Sequence, residues 1–143
     1  MPYEFVDELT AADIAFRAWG GDLTETFGAA ADAVMNAMVE DLETIQPRDT
    51  RQLSVEQDAL DMLLFNFLQE LVYYKDAEQL LLRVRQLQIA DDRQPYTLQA
   101  TVVGEPIDPN RHHMRVDVKA VTLHRFALTR TESGWEATVI LDI

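Results

Sequence analysis

Two stretches of the chain carry apolar residues at the three-and-four spacing of an amphipathic helix. The first is predicted to run from Asp22 to about Asp41, because Asp22 can cap the helix and Glu25 stands three residues after it. The second is predicted to begin at Asp58, again as the capping residue, and to reach about Tyr74. The apolar positions are Leu23, Phe27, Ala30, Ala31, Val34, Met35, Met38 and Leu42 in the first, and Leu60, Leu63, Leu64, Phe67, Leu68, Leu71 and Val72 in the second.

Elsewhere apolar and polar residues alternate, which is typical of strands with one buried face. The phase of the alternation changes near Arg85 and Gln86, which indicates a bulge. A loop is predicted from Gly104 to Met114, and Glu132 to Gly134 is predicted to close a hairpin. The predicted strands cover residues 3–6, 14–19, 52–55, 80–89, 96–102, 116–131 and 135–141.

This order of elements predicts a single α+β domain over residues 1–143. We expect two layers, with two amphipathic helices packed on one face of a predominantly antiparallel sheet. No window approaches eighteen uninterrupted apolar residues, and the first residues lack the basic and apolar regions of a signal peptide. The chain is therefore interpreted as a mature cytoplasmic protein.

The charge of the chain narrows the choice of partners. There are 25 acidic and 12 basic residues, which give a formal net charge of −13. Because this charge repels a phosphate backbone, strong direct binding to nucleic acid is not expected, and a basic protein partner or a cation is favoured. The alternative is that the charge only keeps the protein soluble. Cysteine is absent, which excludes disulfides and thiolate metal sites.

Few residues stand in a pattern that indicates catalysis. The sequence has no Gly-rich phosphate loop, no nucleophile elbow and no helix carrying paired metal-binding histidines. His112 and His113 are predicted to be solvated in a loop. His124 shares the phase of the apolar residues that follow it, so we expect it to be partly buried with its hydrogen bonds satisfied.

Three further residues invite a functional interpretation. Asp13 and Asp142 stand at the ends of predicted strands, where a carboxylate is most often simply solvated. Lys119 lies among apolar residues of a strand, where a lysine usually lies over the sheet with its ammonium in water. Taken one at a time, these residues indicate no particular function.

Taken together, they belong to segments that resemble the archease family. Thr10, Ala12 and Asp13 match its motif near the start of the chain, Val118 to Thr122 match its lysine motif, and Asp142-Ile143 match its terminal motif. Other segments with counterparts in the same order are Arg17 to Gly20, Asp58 to Leu71 and Gly104 to His112. The resemblance thus extends along the whole chain.

The resemblance implies a metal site formed by Asp13, Asp142 and the terminal carboxylate of Ile143. Glu8 is a further candidate ligand only because it is close to Asp13 in sequence. A ligand set made only of hard oxygens suits Ca²⁺, or another hard divalent cation such as Mg²⁺, better than a soft transition metal. The resemblance also places Lys119 in the cluster linked to activity, as the residue that acts on the partner.

The implied function is that of an accessory protein and not of an enzyme. Archeases promote the guanylylation and multiple turnover of an RtcB-type RNA ligase, in tRNA splicing or RNA repair, so this ligase is the expected partner. Two alternatives remain. A metal-dependent phosphohydrolase using Asp13 and Asp142 would turn over phosphoesters without a partner. A general chaperone or dimerisation module on the Met-containing helix faces would protect unrelated proteins whether or not Asp13 is present.

Overall fold

A computed structural model of the protein describes residues 2–6 and 12–143. Within these residues, strands and helices alternate first and a run of strands follows. The elements are β1 (Tyr3–Val6), β2 (Asp13–Gly20), α1 (Leu23–Met38), a 3-10 turn (Leu42–Thr44), β3 (Asp49–Gln57), α2 (Leu60–Glu78), β4 (Leu80–Ala90), β5 (Tyr96–Pro106), β6 (Ala120–Val121), β7 (Ala127–Thr131) and β8 (Gly134–Asp142).

The strands of the described residues form two antiparallel sheets. The first has five strands in the order β1-β2-β8-β6, with β7 also paired to β8, and the second has three strands in the order β3-β5-β4. The predicted α+β class and the antiparallel pairing are confirmed. The strands are divided between two sheets, however, because β3 pairs with β5 while the strands near the two ends of the chain pair with each other.

Helix α1 begins as the sequence predicts. The side chain of Asp22 accepts a hydrogen bond from the N–H of Glu25 at 2.8 Å, and the Glu25 side chain accepts one from the N–H of Gly21 at 3.3 Å. The helix ends at Met38, which is earlier than predicted. The reason is that Val39 is extended and forms an isolated bridge with Met114, a distant contact that helical periodicity does not reveal.

Helix α2 differs from the prediction at both ends. It begins at Leu60 with Ala59 as the capping residue, so Asp58 is not the N-cap, and no side-chain hydrogen bond caps this end within the described residues. It continues beyond Tyr74 and ends where Gln79 adopts a left-handed conformation with φ of 57°. The last turn is polar, and apolar periodicity therefore gave no sign of it.

The β4–β5 hairpin contains the predicted bulge, since its register shifts between Val84 and Gln86. Strand β5 continues to Pro106, so Gly104 lies in a strand and not in the predicted loop. A Cβ atom at Gly104 would lie only 1.7 Å from the carbonyl oxygen of Leu81. Glycine is therefore required for the two strands to approach each other at this position.

The long strand predicted over residues 116–131 is interrupted. Of this stretch, only the segments β6 and β7 pair with β8. They are separated by a turn in which the N–H of Phe126 donates to the carbonyl of Leu123 at 3.2 Å. Arg125 has a positive φ of 53° in this turn, which breaks the extended backbone. The predicted hairpin at Glu132 to Gly134 is confirmed.

The apolar core is shared by the two helices and the two sheets. Helix α1 packs on β2 and β8 of the first sheet and on β4 of the second, and α2 packs on the second sheet and on β6. The rings of Phe27 and Phe67 stack between the helices with centroids 6.3 Å apart. Neither helix in the described part of the chain combines the length and apolar content needed to cross a membrane.

Candidate functional site

Asp13 and Asp142 lie directly opposite each other in the first sheet. Strands β2 and β8 pair in a continuous antiparallel register that runs from this pair to Gly20 and Trp135 at the other end. Side chains of directly opposite residues project from the same face of a sheet, with Cβ atoms about 4.5–5.5 Å apart. Asp13 and Asp142, both partly buried, therefore carry their carboxylates on one face at this end of the sheet, where a cation or hydrogen-bond donors would offset their repulsion.

The main chain around Lys119 and Ile143 joins the same end of the sheet. The N–H of Lys119 donates to the carbonyl oxygen of Asp142 at 2.8 Å, and the N–H of Ile143 donates to the carbonyl oxygen of Ala12 at 3.0 Å. The structure thus brings together the residues that the sequence analysis selected from distant parts of the chain. We call Asp13, Lys119, Asp142 and Ile143 the strand-end cluster.

The side chain of Lys119 does not share the surroundings of the two aspartates. It is exposed and lines a groove of about 590 Å³ between β3 and α2, whereas neither Asp13 nor Asp142 lines that groove. Lys119 forms no ion pair with any residue that the structure describes. Its ammonium is therefore accessible to a partner. We call this cavity the β3–α2 groove.

The donor atoms at the strand end are hard oxygens. Asp13 and Asp142 provide two carboxylates, to which main-chain oxygens of Ile143 could add, and this chemistry fits Ca²⁺ or Mg²⁺. Ca²⁺ takes about six to eight oxygen ligands, so water or further residues would have to complete its shell. Across residues 2–6 and 12–143, no group of three or more His, Cys, Asp or Glu residues is arranged to hold a metal. The candidate ligand Glu8 and the motif residue Thr10 lie outside the described residues.

The three histidines do not all behave as the sequence predicts. His113 is solvated as expected, with its Nδ1 atom 3.3 Å from a carboxylate oxygen of Glu40. His112 is buried, which corrects the prediction, because its N–H donates to the carbonyl of Asp108 and folds the loop back on itself. His124 is exposed and not partly buried, because it lies in the turn between β6 and β7 and not in a strand.

Buried Glu105 organises a polar cluster that the sequence analysis did not single out. Its carboxylate accepts hydrogen bonds from Arg111, from the N–H of Gln46 at 2.8 Å and from Nε2 of His112 at 2.9 Å. His112 can donate through Nε2 because its Nδ1 accepts the N–H of Asp108 at 2.8 Å. The hydrogen bond from Arg111, supported by those from Gln46 and His112, lowers the pKa of Glu105 to about 2 despite its burial.

Buried Lys75 anchors the segment that leads to Lys119. Its ammonium pairs with Asp76 and with Asp117, the latter at 2.6 Å. Burial by itself lowers the pKa of Lys75, but the hydrogen bonds to Asp117 and Asp76 outweigh burial and raise the pKa. The sequence held a signal for this residue, because Lys75 follows Leu71 by four positions on the apolar stripe of α2.

The Met-containing face of α1 lies in the core. Met35 and Met38 are completely buried, so this face offers no surface for a second copy or for an unfolded protein. The exposed large apolar side chains of the described residues are Trp19, Tyr73, Met114 and Leu123. A chaperone or dimerisation surface would therefore have to be sought outside the helix face on which that alternative was based.

The fold and the strand-end cluster define a class: α+β proteins of two antiparallel sheets in which an early strand and a late strand bring two aspartates into register. A model of the archease protein family (MTH1598/TM1083) matches residues 3–143. The chain belongs to the archease family.

Relatives and solved structures agree with this assignment. The protein archease of Pyrococcus abyssi (strain GE5 / Orsay) is 35% identical over 133 residues, covering 92% of this chain and 93% of that protein. The protein archease of Methanosarcina acetivorans is 31% identical over 142 residues, covering 99% of this chain and 95% of that protein.

Two solved structures share the fold. The solution structure of Methanobacterium thermoautotrophicum protein 1598 has a TM-score of 0.85 and 31% identity, covering 99% of both chains. An archease and possible chaperone from Thermotoga maritima, TM1083, has a TM-score of 0.63 at 14% identity, covering 94% of this chain and 93% of the other, so this second likeness concerns the fold alone.

Proposed function

We propose that this protein is an accessory factor that promotes guanylylation and multiple turnover of an RtcB-type RNA ligase, in tRNA splicing or RNA repair. The observation that carries the proposal is the register of β2 and β8, which places Asp13 opposite Asp142 and the main chain of Lys119 beside them. A cluster assembled from distant segments at one end of a sheet, with the exposed side chain of Lys119 beside it, is suited to act on another protein.

In this proposal the aspartates hold a cation. Asp13 and Asp142, with main-chain oxygens of Ile143, would bind Ca²⁺ or Mg²⁺, and the cation would offset the repulsion between directly opposed carboxylates. When bound, the ion would supply a fixed positive charge at the tip of an otherwise acidic protein. The chain's own residues would orient that charge through the β2–β8 register.

Lys119 is the residue proposed to act on the partner. Its exposed side chain has no ion-pair partner among the described residues, while its main chain is fixed by the hydrogen bond to Asp142. An ammonium held in this way can approach a phosphate or a carboxylate of the ligase. The net charge of −13 favours this route through a protein partner over direct contact with RNA.

The test is single-turnover guanylylation of the cognate ligase with and without this protein. We expect the native chain to accelerate the reaction, and Asp142→Asn and Lys119→Ala to remove the acceleration. Asp91→Asn and Arg93→Ala change exposed residues of the β4–β5 turn and serve as matched controls that should act like the native chain. Native-like acceleration by both cluster variants would show that the strand-end cluster is not the acting site.

The same preparations test the phosphohydrolase alternative. The native chain is incubated with Ca²⁺, Mg²⁺ or Mn²⁺ and generic phosphoesters in the absence of ligase. We expect no turnover, because the sequence offers no identifiable nucleophile or general base for such a reaction. Robust turnover that disappears in Asp142→Asn would favour the hydrolase over the accessory role.

A further inference from the structure

The β3–α2 groove presents an open sheet edge next to the strand-end cluster. Within the described residues β3 pairs only with β5, so its other edge has no neighbouring strand. Ser54, Val55 and Glu56 all line the groove. Successive strand residues point to opposite faces, and Val55 is buried while its two neighbours are exposed. Ser54, Val55 and Glu56 therefore all border the groove with their main-chain atoms.

The open edge has main-chain groups available for pairing. Across residues 2–6 and 12–143, the main chain of Ser54–Glu56 makes no hydrogen bond to a third element. Edge strands of this kind accept extended segments of other proteins, because each new main-chain hydrogen bond adds affinity. The structure thus offers a place where one additional strand can be added to the second sheet.

The opposite wall of the groove is closed to such pairing. The N–H of Val121 in β6 donates to the side-chain oxygen of Gln69 in α2 at 2.9 Å. This hydrogen bond satisfies the edge of β6 at that position and ties the wall that carries Lys119 to the helix. Of the two strands that border the groove, β3 and β6, only β3 therefore has an edge available to pair with an added strand.

The charges of the groove indicate what kind of strand it receives. Glu56 is exposed and Glu70 is partly buried, and neither forms an ion pair within the part of the chain that the structure describes. Asp76 is already paired with Lys75. The ring of Tyr73 is 58% exposed and can receive a cation on its face. Lys119 is the one unpaired cation among the described residues that line the groove, so Glu56 and Glu70 leave an excess of negative charge there. Together with the accessible ring of Tyr73, this excess favours Lys or Arg side chains on the side of the groove away from Lys119.

We propose that the β3–α2 groove binds an extended segment of the partner protein that carries Lys or Arg and adds to β3 as an antiparallel or parallel strand. The identity of that partner as an RtcB-type ligase rests on the proposed function. The segment would lie between β3 and Lys119, with its cations toward Glu56 and Glu70. A partner that docks there lies beside the strand-end cluster, and the ammonium of Lys119 is directed at that partner.

The first experiment measures affinity for the cognate ligase by calorimetric titration. The groove variant carries Glu56→Lys and Glu70→Lys, and the matched control carries Asp91→Lys and Asp92→Lys in the exposed β4–β5 turn, with the same change in net charge. We expect the groove variant to bind at least about tenfold more weakly and the control to bind like the native chain. Equal weakening by both variants would contradict binding of the ligase in the groove and indicate a general effect of charge.

The two proposals fail in different ways in this experiment. Asp142→Asn is expected to lose the stimulation of guanylylation, whereas the groove variant is expected to lose affinity for the ligase. If the native chain neither binds nor stimulates the ligase, the proposed function is wrong. Whether the groove binds a basic extended segment is then tested by a second experiment that needs no ligase. Melting curves of every variant establish that the fold is retained.

The second experiment uses a peptide of alternating Lys and Val as the probe. Isotope-labelled protein is titrated with this peptide, and with an alternating Glu and Val peptide as the control, while amide resonances are followed. We expect shift changes that concentrate at Ser54–Glu56, occur only with the basic peptide and vanish in the Glu56→Lys, Glu70→Lys variant. Changes spread over other surfaces, or equal changes with the acidic peptide, contradict binding in the groove.

Discussion

The carboxylate of Glu105 and the carboxylates of Asp13 and Asp142 lie in different electrostatic surroundings. Glu105 is enclosed by donors that stabilise its charge, from Arg111, His112 and a main-chain N–H. Asp13 and Asp142 instead occupy directly opposite positions of β2 and β8, where like charges on one face of a sheet are unfavourable to each other. The first arrangement is suited to holding a loop in place, and the second is suited to binding a cation.

The Glu105 cluster should make folding stability depend on pH. The pKa of Glu105 is about 2 in the folded state, against an ordinary value of 4.5. The unfolded state therefore binds more protons between these values, so stability is present above pH 4.5 and falls as the pH drops toward 2. The full shift corresponds to about 3 kcal/mol, which screening at the exposed guanidinium of Arg111 reduces to roughly 2 kcal/mol.

Denaturant unfolding of the native chain and of Glu105→Gln at pH 7 and near pH 3 checks this expectation. Glu105→Gln should be less stable at pH 7, because Arg111 and His112 lose an ionised acceptor, and it should lose less stability on acidification. Glu132→Gln, in the exposed β7–β8 turn, is the control and should follow the native chain. Parallel pH curves for all three proteins would show that Glu105 is not the group responsible.

Substitution of Asp142 should change the stability of the fold in the opposite direction to substitution of Glu105. Without added cation, Asp142→Asn removes the negative charge opposite Asp13 and should stabilise the fold by about 0.2–1 kcal/mol. With Ca²⁺ present, the native chain should melt at a higher temperature, whereas Asp142→Asn should not respond. Melting curves in chelator and in excess Ca²⁺ measure both effects. A rise in melting temperature of equal size in both proteins would place the cation elsewhere.

At the scale of single elements, the two helices start in different ways. Both Asp22 and Asp58 stand in front of an apolar stripe and look alike in the sequence, yet only Asp22 accepts a hydrogen bond from the helix. Asp58 is exposed one residue before the capping position of α2. The tertiary structure thus decides which of two similar residues caps a helix.

This difference predicts unequal costs for one and the same substitution. Asp22→Ala removes the cap and should lower the free energy of unfolding by about 1 kcal/mol. Asp58→Ala removes an exposed side chain without that role and should change stability by no more than about 0.5 kcal/mol. Chemical denaturation of the two variants gives both values. Similar losses would mean that Asp58 stabilises α2 in a way that its position does not explain.

At the scale of the whole molecule, local patterns predicted the elements better than their pairing. Periodicity located both helices, the bulge in β4 and the last hairpin, because each depends on neighbouring residues. It did not reveal that β3 pairs with β5 in a separate sheet, since that pairing depends on distant contacts. It also missed the burial of His112, which depends on loop hydrogen bonds to Asp108 and Glu105 that leave no periodic signal, whereas Lys75 could have been found from its place on the apolar stripe of α2. The proximity of Asp13 and Asp142 could be anticipated only through the resemblance to archeases.

The acidic surface leads to an expectation about RNA. With a net charge of −13, the isolated protein should form no specific complex with a tRNA or a nicked stem at about 0.15 M salt, where the Debye length is roughly 8 Å. Electrophoretic mobility shift measures this, with the cognate ligase as the positive control. Submicromolar binding by the protein alone would contradict the view that RNA is reached only through a partner.

The central place of β8 has a kinetic consequence. This strand pairs with β2, β6 and β7, although β2 lies near the other end of the described sequence. Contacts between such distant segments require the closure of a very long loop and generally form slowly. The strand-end cluster therefore exists only in molecules in which that closure has occurred, and a local opening of β8 would dismantle it at once. If the proposed function is correct, competence to bind a cation at this end would thus be a mark of completed folding.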